Sequence, residues 1–365
     1  MALSWIAVSA TTGQVITDLP TLRVDGALKR TLMRYESQTA ALPMGDPADP
    51  VDPMRPPENW RQATRKGAAF LVALDEQDIP LWGGLVVRRN TNEGPDVKMT
   101  LATPEAYFDR RFVGDVQFSS IGQNIIAQTL IETYAGPGQG GIPLRVQLMG
   151  GAGQARNQAF RDLDDKSLYS VLTSLSELEN GPEWTVEWEW VTPGQVMGLV
   201  VYVGDRVGAP APTGLGPAAQ FYLPGSVTTF DLDEGYGTGE GANDVTATTS
   251  EARSPRQIAA NDGRPKFEHR WSPDSDIVTF DDLVSQAVKG LATMKNGTVA
   301  LKLTANRADP PFLGRDWHLG DDIGFHLTAP AWPDGITGTT RAVGWELSGD
   351  SVSPLIDVTG IEGID

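Results

Sequence analysis

The chain contains no cysteine. That absence removes disulfide scaffolds, thiolate zinc sites and cysteine nucleophiles from consideration. A chain without disulfides that must survive outside a cell needs another stabiliser, and oligomerisation is the usual one. No apolar run approaches the ~20 residues of a membrane-spanning helix, so no membrane-spanning segment is expected. The N-terminus lacks the basic-then-apolar layout of a secretory signal, which places synthesis and assembly in the cytoplasm. Basic residues are scarce: 29 Lys and Arg face 47 Asp and Glu, for a net charge of -18. A protein that grips nucleic-acid phosphates needs clustered cations, so that class is disfavoured. Plain solubility fits the acidity, and so does a lumen of like sign past which DNA slides without sticking.

Catalytic constellations are missing as well. The glycines of "GYGTGEGAND" complete no GxGxxG, no Walker lysine follows them, and the next element reads as a strand where a phosphate would need a helix N-terminus. No GxSxG occurs. The three histidines, His269, His318 and His326, show no i, i+4 metal pairing. A site built from His318, His326, Asp321 and Asp322 is the best metal candidate, yet turns carry such residues by chance, and no metal or cofactor is expected. Glu187 and Glu189 stand ~7 Å apart on one strand face, a glycosidase-like spacing, but they read as solvated edge charges. The basic groups Arg88-Arg89, Arg110-Arg111 and Arg61, Arg65 and Lys66 read as partners of acidic neighbours. The chain is expected not to be an enzyme.

What the sequence does hold is glycine, proline and short apolar runs. With 365 residues, 40 Gly and 26 Pro, it has room for two or three domains and leans toward β-rich architecture. The stretch "EWTVEWEWV" gathers three of ten tryptophans. Strand alternation puts Trp184, Val186, Trp188 and Trp190 on one face and Thr185, Glu187 and Glu189 on the other. "VMGLVVYVGD" returns antiparallel after Pro193-Gly194. Before the pair, "DDKSLYSVLTSLSELENG" spaces Leu168, Val171, Leu172, Leu175 and Leu178 as a helix that stops at Asn180-Gly181-Pro182. The tryptophans therefore fill the space between helix and sheet; an exposed row stacking on sugar rings is the alternative.

Elsewhere, "AAFLVALDEQDIPLWGGLVVRRN" reads as two strands around a polar turn, and "DVKMTLATPEAYFDRRFV" as a strand entering a short helix. "SSIGQNIIAQTLIETYAG" reads as a helix with a serine start, and "IPLRVQL" as a strand between flexible connectors. "SVTTFDLDEGYGTGEGANDVTATTS" reads as two strands around a glycine tip. "TFDDLVSQAVKGLATM" is a helix with Leu283, Val284, Ala287, Val288 and Leu291 inward, and three strands follow it. Pro43, Pro47, Pro50, Pro53, Pro56 and Pro57 favour an extended arm over a packed element. That arm is either a passive loop or a strap on a neighbouring subunit.

The succession of "LWGGLVVRRNTNEGPDVKMTLATPEAYFDRRFV", "ANDVTATTS", "DDLVSQAVKGLA" and "DWHLGDDIGFHL" resembles the hub (minor tail) proteins at the tail tip of long-tailed actinobacterial phages. The excess of Arg over Lys, 21 to 8, suits a high-GC genome. Within the last motif, Leu319-Gly320-Asp321 looks like the turn that opens a barrel strand. The resemblance implies an α+β, β-rich fold of two tail-tube-like antiparallel β-barrels with an inserted α/β domain. Residues 1–113 would form the first barrel, completed by about 196–235; 114–195 the insertion; and 240–365 the second barrel with one helix. It further implies a homotrimer in the virion tail tip that meets a distal tail protein, the tape-measure protein and a fibre or spike, with DNA passing through without sequence-specific binding. The rival reading is a glycan-binding module or cell-wall hydrolase using Trp184, Trp188 and Trp190.

Overall fold

A computed structural model describes residues 3–45, 57–178, 180–249, 252–259, 263–272 and 280–357. The fold is β-rich α+β, and it divides into a unit of residues 1–229 with 303–365 and a unit of residues 230–302.

The larger unit starts from a seven-stranded antiparallel sheet. Its strands run in the order Val15–Asp18, Ser4–Ser9, Ala69–Leu74, Pro80–Asn90, Asp96–Ala102, Ser37–Pro43, Arg23–Asp25. Ala69–Leu74 is buried at every position because it lies inside the sheet and both of its faces are covered. The expected polar turn after it is present: Asp75 Oδ1 accepts from the backbone N–H groups of Gln77 and Ile79, each at 2.8 Å. The short helix after Asp96–Ala102 is a 3-10 turn, Pro104–Arg110.

A three-stranded sheet follows. Strand Glu183–Thr192 pairs antiparallel with Val196–Gly204, whose other edge takes Leu144–Met149 in parallel. Helix Leu168–Ser176 is capped by Ser167, whose Oγ accepts from Ser170 N–H at 3.2 Å, and Asn180 supplies a left-handed φ of 52° where the chain turns back. Leu168, Val171, Leu172 and Leu175 are buried, each contributing about 1.5–3 kcal/mol of transfer free energy. The other helix begins at Gln123, behind Gly122, with no side-chain cap. The expected serine start is corrected: Ser119 and Ser120 belong to strand Val116–Gly122, which pairs with Ala155–Phe160. The first half of that second strand falls in a stretch read as connector.

A second seven-stranded sheet collects Gln220–Leu223, Asp322–Ala329, Trp332–Ser348, Ser351–Asp357, Thr298–Asn306 and Val227–Gly235 in that order. Its seventh strand is Leu28–Thr31, far away in sequence, which pairs with Gly344–Leu347. Asp322–Ala329 runs beside the first half of the long Trp332–Ser348 strand, and Leu28–Thr31 occupies the same edge beyond it.

In the smaller unit Asp244–Ala247 lies between Gln257–Ile258 and Glu268–Trp271. The expected hairpin over residues 226–250 is thus corrected. Val227–Gly235 and Asp244–Ala247 belong to different sheets, because the second strand finds its partners downstream. Helix Phe280–Met294 buries Leu283 and Ala287, with Val284 and Leu291 half-buried. Val288, expected inward, is 50% exposed.

Candidate functional site at a junction of sheets

Strand Glu183–Thr192 is covered on its tryptophan face from Trp184 to Trp188 and in part on the other. On one face Trp184 is 0% exposed and Trp188 7%. The Trp184 ring meets Tyr169 of the capped helix edge-on at 5.9 Å and Phe108 at 5.7 Å. Trp188 meets Phe70 of the first sheet edge-on at 5.1 Å. It also lies over Gly83, where a Cβ would fall 2.4 Å from the indole Nε1. Trp190, half-buried, donates Nε1–H to the carbonyl of Asp78 at 2.7 Å. Trp184 fills the space between helix and sheet, as the alternation suggested, while Trp188 and Trp190 reach across to the first sheet. Too little of Trp184 and Trp188 meets solvent for the row to stack on sugar rings.

The opposite face holds a buried ion cluster. Arg30, 2% exposed, reaches from the lent strand Leu28–Thr31. Its Nη2 donates to the Val186 carbonyl at 2.5 Å, to Glu105 at 3.1 Å and to Thr185 Oγ1 at 3.2 Å, with Glu187 at 3.5 Å. Glu187 is therefore not a solvated edge charge, and Glu189 is held by both Nε and Nη2 of Arg145 at 2.8 Å. Burial works against the Arg30 charge, but Glu187 and Glu105 more than offset it and hold its pKa above the usual value. Burial also raises the Glu105 carboxyl, and Arg30 and Thr103 offset this only in part. Nothing periodic marked Arg30 in the sequence. The available signal was an arginine between Leu28 and Leu32 on one alternating face.

Leu319, Gly320 and Asp321 form the turn before strand Asp322–Ala329, and the chain leaving strand Val196–Gly204 is fastened to it. Gly208 and Gly320 adopt φ of +86° and +92° and face each other: a Cβ on Gly208 would fall 2.1 Å from the Gly320 carbonyl carbon, and one on Gly320 2.4 Å from Val207 O. Asp321 accepts from Ala209 N–H at 2.6 Å and His318 N–H at 2.8 Å, and the His318 ring lies 3.5 Å away. Arg341 donates to Gly320 O at 3.0 Å, to Val207 O at 2.7 Å and to both oxygens of Glu183. Leu319 is buried. The hydrogen bond to Asp321 raises the His318 pKa above its ordinary value, and burial opposes it less. Burial would raise the Asp321 carboxyl, but hydrogen bonds from His318 and Ala209 outweigh it and leave the pKa lowered.

The remaining candidates are dispersed. Asp322 is engaged by Arg206 at 2.5 Å and by Ala211 N–H at 2.8 Å, and His326 bonds Thr337 Oγ1 at 2.8 Å. No group of three or more His, Asp or Glu disposed to hold a metal occurs among the described residues. Arg89 donates to the carbonyl of Arg61 and to Thr64 Oγ1, both at 3.1 Å, and lies near the Trp60 ring, so carbonyl, hydroxyl and ring contacts stand where acidic partners were expected. Pro43 is buried and pairs with Asp96 in the first sheet, and the Pro57 carbonyl accepts from Trp60 N–H. Pro47, Pro50, Pro53 and Pro56 lie outside the described residues.

No protein-family profile matches the sequence, and no curated protein matches it. Solved structures do match its fold. The 43 kDa tail protein of prophage MuSo2 from Shewanella oneidensis superposes with a TM-score of 0.57 at 11% identity, covering 99% of this chain and 100% of the other. A tail protein from Neisseria meningitidis gives 0.53 at 13% identity, covering 98% and 97%. A chain of the Francisella PdpA-VgrG complex gives 0.56 at 7% identity, covering 100% of this chain and 59% of that one. At these identities the likeness is one of fold: this chain has the fold of prophage tail proteins.

Proposed function

We propose that the chain is a non-enzymatic structural protein of a phage tail tip, a trimeric hub of the kind carried by long-tailed actinobacterial phages. The observation that carries this reading is the fold likeness to two prophage tail proteins over nearly the whole of both chains. Each seven-stranded sheet corresponds to one tube-like barrel, and the segment between them, with its tryptophan hairpin, is the insertion. Three chains with two such sheets each make a ring of six similar bodies. A ring of that kind meets a sixfold tube on one side and a threefold fibre or spike on the other. The acidic charge suits a channel through which DNA exits without binding, and the distal tail protein and tape-measure protein are the neighbours on the tube side. Antibody labelling of virions, read by electron microscopy, tests the placement. Label at the distal end of the tail is expected; label along the tube or on the capsid refutes the reading.

A further inference from the structure

Arg61, Arg65, Lys66, Arg88 and Arg89 come together at one rim of the first sheet. Arg89 Nη1 donates to the Arg61 carbonyl and to Thr64 Oγ1, both at 3.1 Å. Gly67 N–H donates to Val86 O at 2.7 Å, which sets Lys66 close to Val87 and Arg88. The guanidinium carbons of Arg61 and Arg89 lie 5.5 and 5.8 Å from the centre of the Trp60 ring. All of these cations but Arg89 are exposed. Arg30, Arg145, Arg206 and Arg256 each hold a carboxylate, whereas no cation of the rim forms an ion pair among the described residues, with Glu58 or with any other acid. In a chain of net charge -18 that is an uncompensated basic patch. Beside Arg88, Val87 is 46% exposed.

A surface of opposite character stands in the same unit. The 3-10 turn Asp162–Asp164 is closed by Asp164 N–H to the Arg161 carbonyl at 3.1 Å and by Asp165 N–H to the Asp162 carbonyl at 3.2 Å. Its start is pinned where Asp162 N–H donates to Asp115 Oδ1 at 3.0 Å. Held in this way, the turn presents Leu163 at its tip, 92% exposed, between Asp162 and Asp164. Asp115 and Asp165 add carboxylates beside them, and Arg161 and Lys166 flank the turn, so acid stays in excess. None of these aspartates forms an ion pair among the described residues. Within one chain, then, the rim and the turn do not satisfy each other.

We propose that the basic rim of one copy receives the 161–166 turn of a second copy of this chain. Leu163 seats against Val87 and Trp60, while Asp162 and Asp164 meet Arg65, Lys66 and Arg88. Charge faces opposite charge, and the apolar tip finds an apolar floor that a phosphate backbone would leave uncovered, which favours a protein over DNA. Both sides are ordered beforehand by their own hydrogen bonds, so little freedom is lost on docking. Because rim and turn are different surfaces, the contact is heterologous: each copy gives one and takes one, and such contacts close into a ring where the rotation allows. The inference rests on the trimer proposed above and names the surfaces by which its copies meet.

Analytical ultracentrifugation of the full chain at low salt tests the contact. Every side chain substituted is exposed, and far-UV circular dichroism checks that folding is intact. Arg65→Glu with Lys66→Glu is expected to weaken self-association at least about tenfold, as is Asp162→Lys with Asp164→Lys. Leu163→Ser removes the apolar part and is expected to weaken it about tenfold or more. The chain carrying all four charge reversals should regain most of the parent's association, since each cation then faces an anion again. Failure of that rescue, or a trimer indifferent to both reversals, overturns the proposal and leaves the tail-hub reading standing. A parent chain that stays monomeric at every concentration overturns the contact and the trimer together. A duplex oligonucleotide is titrated alongside: binding that Arg65→Glu with Lys66→Glu abolishes while self-association persists would assign the rim to nucleic acid and overturn the proposal.

Discussion

Trp188 offers the sharpest test of how the tryptophan hairpin is held to the first sheet. A tryptophan buries ~150–250 Å², and at ~25 cal/mol per Å² its near-complete burial corresponds to about 4–6 kcal/mol. Trp188→Ala is therefore expected to remove about 3–5 kcal/mol, the range measured for deleting large aromatic side chains from cores. Trp190, half-buried with one hydrogen bond to Asp78, should lose only about 1–2 kcal/mol as Trp190→Ala. Gly83 supplies a partner of opposite sign. Its Cβ would fall 2.4 Å from the Trp188 indole, so Gly83→Ala should destabilise the native chain by about 1–3 kcal/mol. In the Trp188→Ala background the same methyl enters the vacated space, and the loss should vanish or reverse, a coupling that neighbouring residues show. Urea unfolding followed by far-UV circular dichroism measures all four proteins without depending on the deleted fluorophore. A loss under about 1 kcal/mol for Trp188→Ala, or additive effects of Gly83→Ala and Trp188→Ala, would refute the packing described above.

Three further expectations follow from the junction. Arg30→Met leaves Glu105 buried without its cation and should cost about 3–5 kcal/mol in urea unfolding, whereas Arg30→Met with Glu105→Leu should recover much of that loss. Gly320→Ala combines a left-handed φ with a 2.4 Å approach to Val207 O and should lower stability by more than about 2 kcal/mol, with increased proteolysis in the 205–211 connector. The His318 and Asp321 pair should give a pH-dependent increment that His318→Asn removes. The His318 pKa is raised, so its part is full below about pH 6.5 and fades as pH climbs through the folded value. The Asp321 pKa is lowered, so its part is full above about pH 3.9 and fades on acidification. Thermal midpoints of parent and variant should differ most between those limits, and a constant difference from pH 4 to 9 would contradict the pairing.

Legibility in the sequence followed locality. The tryptophan hairpin, the hairpin of Ala69–Leu74 with Pro80–Asn90 and the helix over Leu168–Ser176 carry period and turn signals within one window, and the structure forms all three. Ala155–Phe160 was missed because its residues, Ala, Arg, Asn, Gln, Ala and Phe, present no apolar alternation, and its pairing with Val116–Gly122 alone makes it a strand. The hairpin expected over residues 226–250 failed for the converse reason: two well-patterned strands lay close in sequence, but each took a partner elsewhere. At the candidate site the burial of Trp184 and Trp188 on one face could be read from alternation, but not that Trp188 packs on the first sheet. The roles of Arg30, Glu105 and Arg341 could not, since a charged residue declares its partner only when the chain brings distant segments together.

The strand lent by residues 28–31 to residues 344–347 sets the timetable of synthesis. At ~5–20 residues per second, the ribosome delivers Leu28–Thr31 some tens of seconds before their partner exists. During that interval Arg30 has no second-sheet strand to fix its position, while the first sheet and the tryptophan hairpin can already gather around it. Closing so long a loop is among the slower events a single chain performs. Completion of the larger unit therefore waits for residues 344–347 to emerge.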